Sequence, residues 1–535
     1  MKRLLDTHAK SGIGSATIVG LLIVSIVLVS ALWAMTREWG KPLLDLHAFR
    51  QTQTAISAYY MAEDSGMFFD YITPVLGKPW SIPMELPIYQ WIVARWHNFS
   101  GMGLDQSGKA ISIAFWFACI WPIWRILGSL RQTTAQGCIC LALVYSAPLY
   151  LYWGRAFMIE STGLFLSLGM VACVYSAFQN RSWRWLSVGL AFGVGAALCK
   201  VTTWAVSVGV AELLVLFATG TLPKRNDFRW IGLTSAALVI LLVPAKLWLA
   251  HGDAIKSENS FAREIILSTL PDQKSWNYGT WEQKLNLQTW QHIWHHITDQ
   301  ILVPLPFIGP FLIPIILVLG ALASPKRIPI ILIFIVGFAS GPLIFTNLYL
   351  EHNYYWCANG IWLLIAAGVA LGGIHEYKPE TQWPRITAVA FTVIITFSGF
   401  KLWSVNYLPV LKSLPTPNQL ADAWTKPVQN IVPPGRTLMI LGYEWNSFAL
   451  YYAQRKGIAY PQCGGIKFPS PQLTESLTKL GSGEKLGAVV IAESLLTTEN
   501  QVDFVKILQQ LGISGTGIRT SFGVLFPADD LQPVY

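Results

Sequence analysis

The chain is short of charge. Of its 535 residues only 13% are Asp, Glu, Lys or Arg, about half the share usual in soluble domains, which excludes a wholly soluble or disordered chain. Cysteine is also scarce. Six of the 7 lie in or beside apolar runs (Cys119, Cys138, Cys140, Cys173, Cys199 and Cys357), leaving Cys463 in a polar region. No disulfide framework or four-ligand zinc site follows from that placement. Internal repeats and low-complexity tracts are absent as well. What is plentiful is apolar: 53% hydrophobic residues, 13% aromatics and 24 Trp, with a mean hydropathy of +0.44. Amphipathic rings in such number suit a chain with many membrane–water interfaces. The net charge of +9 is then a matter of where the basic residues sit, and it does not point to nucleic acid.

Residues 16–35 carry no charge and, at about 1.5 Å per residue, cross a ~30 Å hydrocarbon layer. Lys2, Arg3 and Lys10 precede them, and the run is too long for a cleaved leader, so it reads as a signal anchor. Further runs centre on 110–129, 133–152, 158–178, 184–199, 202–219, 230–249, 303–323, 328–348, 356–373 and 386–404. The expected fold class is an α-helical polytopic membrane protein of about eleven transmembrane helices with a small C-terminal α/β external domain. Basic residues collect in alternate connections: Arg125 and Arg131, Arg181 and Arg184, Lys224, Arg225 and Arg229, Lys326 and Arg327, Lys378 and Arg385. The positive-inside rule places these and the N-terminus in the cytoplasm. It places 36–108, 153–158, the region near 200, 250–300, 349–355 and the tail outside, in a multi-pass protein of the inner or plasma membrane.

The expected division is a membrane domain over 1–405, with an external loop at 36–108, and an external domain over 406–535. In the tail, Arg436–Tyr443 and Leu486–Ala492 read as strands, and Ser447–Lys456 and Asn500–Leu511 as helices.

Polar residues on the external side mark where chemistry would sit. Asp45 stands at the start of a helical stretch in which His47, Arg50, Gln51 and Thr54 form a stripe at i, i+3, i+4 and i+7. The stripe fits either an interfacial helix capped by Asp45 or the lining of a cavity. Glu85, in Pro83–Trp91, either caps a short helix with Pro87 in its first turn or serves as a second acid. Arg155 and Glu160 bracket one span entry, Lys200, Lys246 and Lys401 lie at span ends, and His352, Tyr354 and Tyr355 precede another span. For the cations the bland reading is snorkelling to headgroups; for the tyrosines it is the aromatic belt. Carboxylates beside cations are what transfer to a hydroxyl requires: an acid takes the proton while cations hold a departing phosphate. A lipid monophosphate leaving group can be held by Lys and Arg, so no metal or cofactor is required. His292, His295 and His296 lie among Trp290 and Trp294 without an accompanying carboxylate at zinc-site spacing, and read as interfacial. Pro304, Pro306, Pro310 and Pro314 interrupt one span, which should therefore border protein or a water-filled cavity.

Together these phrases resemble a known family. Asp45–Leu–His47–Ala–Phe–Arg50–Gln51–Thr–Gln53–Thr54–Ala55 is similar to the H-x-W/F-R-Q-x-x-T-A motif of bacterial GT-C membrane glycosyltransferases, the group of lipid A aminoarabinose transferases and protein O-mannosyltransferases. Pro83–Trp91 resembles their E-x-P-x-Y-x-W motif, Gly154–Glu160 their loop before the fourth span, Cys199–Lys200 their S-K motif, and His352–Tyr355 their H-x-Y-Y motif. Tyr451–Gly457 resembles a phrase of their external domains. The resemblance implies an inverting transfer of a sugar from a polyprenyl-phosphate carrier to a glycan, lipid or protein acceptor at the external face of the lipid membrane. Asp45 or Glu85 would be the acid; Arg155, Lys200, His352 and Tyr355 would contact the donor phosphate; and His47, Arg50, Gln51, Glu160 and Tyr354 would line the same substrate site. Two positions depart from the motif: Gln53 stands where many relatives have an acid, and Leu86 where many have Lys. A lipid-linked sugar flippase and a catalytically silent relative acting in an assembly are the competing readings. Against the first, ionisable groups collect at one face and no repeat is present.

Overall fold

The computed structural model describes residues 15–531 except 65, 67, 221–223, 302–308, 379, 463–468, 482–483, 497–507, 510 and 514. Lys2, Arg3, Lys10, Pro304, Pro306, Cys463 and most of the expected 500–511 helix lie outside the described residues. Eight helices among those described are long and apolar enough to span a membrane: Ala16–Met35, Leu104–Ser129, Glu160–Asn180, Val201–Ala218, Arg225–Glu258, Pro325–Ile344, Asn353–Glu376 and Trp383–Ser413. Three shorter apolar helices, Thr134–Ser146, Trp183–Cys199 and Gly309–Ala323, stand at the other expected spans. The expected 133–152 span is broken at Ala147, which is extended (ψ 127°), and resumes as Pro148–Trp153. Proline lacks the N–H that would continue the helix and disfavours a helical residue before it.

The helices differ in what they face. The most apolar window of Asn353–Glu376 is wholly buried within the protein, whereas that of Arg225–Glu258 is only 17% buried and lies at the periphery. In the buried helix Asn353–Glu376, Asn359 donates to the carbonyls of Gly337 (2.8 Å) and Phe338 (3.0 Å) and accepts from the Tyr349 hydroxyl, a pairing that a low-dielectric interior favours.

The tail forms a five-stranded sheet in the order β2-β1-β3-β5-β4. β1 (Thr437–Leu441) pairs in parallel with β2 (Gly457–Ala459) and β3 (Leu486–Ile491), while β5 (Gly523–Pro527) runs antiparallel to both β3 and β4 (Ile518–Thr520). β1 is buried along its whole length, as its continuous apolar run requires. The helix Phe448–Ala453 connects β1 to β2.

This sheet is joined to the loop after the first span. Residues 74–77 lie along the β2 edge, with Gly457 N donating to Pro74 O (3.0 Å), Ala459 N to Val75 O (2.7 Å) and Gly77 N to Gly457 O (3.1 Å). The loop thus covers an otherwise open edge. One apolar cluster runs from Leu43, Ala55 and Val75 in that loop to Leu438, Ile440, Leu450 and Val490 in the sheet.

Candidate active site

The helix Ala48–Glu63 begins one residue after His47, whose left-handed backbone (φ 52°, ψ 42°) turns the chain into it. Asp45 is therefore not the N-cap, and no side chain caps this helix. The first turn instead presents its polar residues to two separate clusters.

The first cluster gathers His47, Arg50, Glu85, Glu160, Lys200, His352, Tyr354 and Tyr355. Arg50 uses its fork in two directions, Nη2 to Glu85 Oε2 (2.8 Å) and Nη1 to Gln53 Oε1 (2.6 Å). Glu85 Oε1 accepts from Gln90 Nε2 (2.8 Å), and its backbone oxygen accepts from the Tyr71 hydroxyl (3.0 Å). Glu85 thus anchors Arg50; the following helix, Ile88–Ser100, has Pro87 at its N-cap and no side-chain cap. Burial works against the Arg50 charge, but Glu85 and then Tyr354 more than restore it, so its pKa stands above the usual arginine value.

Lys200, at the junction of helices Trp183–Cys199 and Val201–Ala218, donates from Nζ to Glu160 Oε1 at 2.7 Å. The two side chains are 8% and 2% exposed, so neither snorkels to headgroups. Burial opposes the ammonium, and Glu160 and Tyr355 outweigh it, raising its pKa. Nζ stands 4.4 Å from the Tyr355 ring centre and 5.4 Å from that of Tyr354. The close approach depends on Gly163, one turn after Glu160: a Cβ there would lie 2.6 Å from Lys200 Cβ.

His352 stacks on Tyr354 (5.3 Å), and the His47 ring stands edge-on to both, at 5.2 Å from His352 and 4.9 Å from Tyr354. His47 Nε2 is held by Asn353 Oδ1 at 3.1 Å. Burial, followed by His47, Lys200 and Arg50, pushes the His352 imidazole down to about 4; burial lowers His47 against that Asn353 bond. Both are neutral at physiological pH, and His352 Nδ1 is buried without a hydrogen-bond partner among the described residues.

The second cluster holds Asp45, Gln51 and Arg155. The Gln51 amide donates to Asp45 Oδ1 and to Leu46 O (3.0 Å), and its oxygen accepts from Phe157 N (3.1 Å). The Tyr152 hydroxyl also bonds to the Asp45 carboxylate. Arg155 faces Asp45 and is 3% exposed; burial lowers its pKa, with Asp45 opposing. Its Nη1 has no hydrogen-bond partner among the described residues, an expensive arrangement for a buried guanidinium. Behind it Asp105 accepts from the hydroxyls of Tyr451 (2.5 Å) and Tyr452 (3.0 Å), fixing the tail's sheet to the span that begins at Leu104. No side-chain hydrogen bond or ion pair joins the two clusters among the described residues, so the expected single set around one phosphate is divided: Lys200 and Arg155 belong to different neighbourhoods. Asp45 and His47 are two residues apart, though, which keeps their Cα atoms within about 7 Å.

Sequence reasoning missed Gln90, Tyr71, Asn353 and Tyr152, which are neutral residues, and noted Gln53 only as a departure from the motif. Asp105 and Lys109 were visible as charges at the head of an apolar run. Lys246 and Lys401 are exposed, as snorkelling side chains are. His296 binds Leu350 O (3.1 Å), and among the described residues no three metal-ligating side chains are grouped.

A structure of ArnT from Cupriavidus metallidurans bound to undecaprenyl phosphate superposes on 95% of this chain and 99% of its own, at a TM-score of 0.60 and 13% identity. Its apo state superposes on 96% and 99%, at 0.59 and 12%. The chain has the fold of ArnT. The family described as dolichyl-phosphate-mannose-protein mannosyltransferase matches residues 81–248, the part of the chain that carries Glu85, Arg155, Glu160 and Lys200. The arabinofuranosyltransferase AftD from Mycobacteria aligns with 88% of the chain and 35% of its own length, at a TM-score of 0.49 and 14% identity. A search of curated proteins finds no match.

Proposed function

We propose that this protein transfers a sugar from a polyprenyl-phosphate carrier to a hydroxyl of an envelope glycan, lipid or protein, with inversion, at the membrane face opposite its basic connections. The observation that carries the reading is the convergence of two cations, the half-buried Arg50 and the buried Lys200, with His352, Tyr354 and Tyr355 at one end of the spans. It stands in a fold shared with an ArnT structure that holds undecaprenyl phosphate.

Arg50 and Lys200 receive the donor phosphate as fork and point charge, with Tyr355 beside them. Glu85 and Glu160 keep these cations charged and placed while the site is empty. The acceptor oxygen attacks the anomeric carbon as the bond from that carbon to the phosphate oxygen breaks, and the carrier phosphate leaves with the electron pair. Asp45 takes the hydroxyl proton. Of the two acids it is the free one: both Glu85 oxygens are committed to Arg50 and Gln90, whereas Asp45 is held by a neutral amide and a phenol. Arg155, whose Nη1 is unused, is the cation beside that carboxylate. Turnover of a synthetic polyprenyl-phosphate sugar by the purified protein, alongside mass analysis of envelope glycolipids and glycoproteins with and without the chain, tests the reading. Loss of no glycoconjugate and absence of donor cleavage would refute it.

A further inference from the structure

A cleft lies at the end of helix Glu160–Asn180 away from the candidate site. Helix Glu160–Asn180 starts in the candidate site and ends at a cleft of about 670 Å³ lined by Arg131, Tyr175, Phe178, Arg181, Phe217 and Ile330. From Glu160 to Phe178 the helix rises about 27 Å, close to the ~30 Å hydrocarbon thickness. The cleft therefore sits at the opposite membrane–water interface, where the basic connections lie. Four of its walls are apolar or aromatic, and Tyr175, Phe178 and Ile330 are buried.

Three helices end here, and their terminal carbonyls would repel an anion. Side-chain donors already occupy several of them: Arg181 Nη1 binds Phe178 O (2.5 Å), Gln179 Nε2 binds Ser129 O (3.0 Å) and Gln132 Nε2 binds Leu130 O (3.3 Å). Arg181 is further neutralised by Asp227. Arg131 is different. It is exposed at the mouth and carries no ion pair or side-chain hydrogen bond among the described residues, so it is the uncompensated charge of the cleft.

We propose that this cleft is a binding site for an anionic phospholipid, its phosphodiester on Arg131 and its acyl chain against Phe217 and Ile330. A cation at the rim above apolar walls matches a molecule that is charged at the interface and apolar below it, and basic pockets between spans take such headgroups. The site is separate from the one proposed for transfer and does not depend on that reading.

The test is native mass spectrometry of the full protein released from nanodiscs of equimolar phosphatidylglycerol and phosphatidylcholine. Wild-type protein should retain phosphatidylglycerol selectively. Arg131→Ala should lower that retention about fivefold, the effect of one basic side chain at an anionic surface, and Arg131→Lys should keep most of it. Ala218→Phe, which fills the cleft without altering charge, should lower it too. Equal retention of the two lipids, no change in Arg131→Ala and Ala218→Phe, or displacement of the lipid by millimolar inorganic phosphate would each overturn the proposal.

Discussion

Lys200 offers the sharpest test of the phosphate site, because its ion pair with Glu160 makes a simple truncation ambiguous. Lys200→Ala would leave a carboxylate that is 2% exposed without its partner, and breaking such a pair costs about 3–5 kcal/mol of stability whatever Lys200 does in catalysis. The double variant Lys200→Met with Glu160→Gln removes both charges at nearly constant volume, a change that buried pairs often tolerate. It should unfold near the wild-type temperature. If Lys200 holds the donor phosphate, the variant also forfeits a charge-assisted contact worth about 1.5–3 kcal/mol, so polyprenyl phosphate should bind roughly 13- to 160-fold more weakly. Titration of the reconstituted protein with polyprenyl phosphate reads the affinity, and a thermal scan of the same sample reads stability. A double variant with wild-type affinity and wild-type stability would show that Lys200 only anchors Glu160.

Asp45→Asn keeps the Gln51 contact but removes basicity; turnover should fall by about 10²–10⁴ with donor affinity unchanged, and near-wild-type turnover would move the base elsewhere. Gly163→Ala places a methyl 2.6 Å from Lys200 Cβ, so it should raise KM for donor more than Asp45→Asn does; an unchanged KM would show that the neighbourhood yields. The His352 imidazole, held down to about 4 by burial and nearby charge, stays neutral in the folded protein while it protonates near 6.5 in the unfolded chain. The unfolded state then binds more protons in that window, and stability should fall as pH drops from 6.5 to 4. His352→Asn should flatten that slope in urea unfolding; an identical slope would refute the assignment. Reporter fusions at Asn226 and Asn430 should report opposite compartments; the same compartment for both would invert or break the expected topology.

The helical membrane-spanning body was legible in the sequence because a hydrocarbon layer imposes one requirement on each segment: about 20 apolar residues with every backbone group satisfied within the helix. β1 and β3 were legible for a related reason, since buried parallel strands read as unbroken apolar runs. The site residues were visible as types, because charge in an apolar chain is costly and therefore conspicuous. Their partners were not. Asp45 and Glu85 each read as either a helix cap or an acid of the site; neither caps its helix, Asp45 bonding to Gln51 and Tyr152, and Glu85 to Arg50 and Gln90. Gln53, which lacks the acid expected at its position, accepts from the second arm of Arg50, and Leu86, in place of a lysine, donates its backbone N–H to Leu198 O at 2.9 Å. The cations near those positions come from Arg50 and Lys200, residues 150 positions apart in sequence. Local spacing fixes which way a side chain points along its own helix; only the packing of distant helices decides which charge it meets, because Coulomb energies in a low-dielectric interior depend on distances of a few ångströms. That packing separated Arg155 from Lys200, and it laid residues 74–77 along the edge of β2, joining the first loop and the tail into one apolar core.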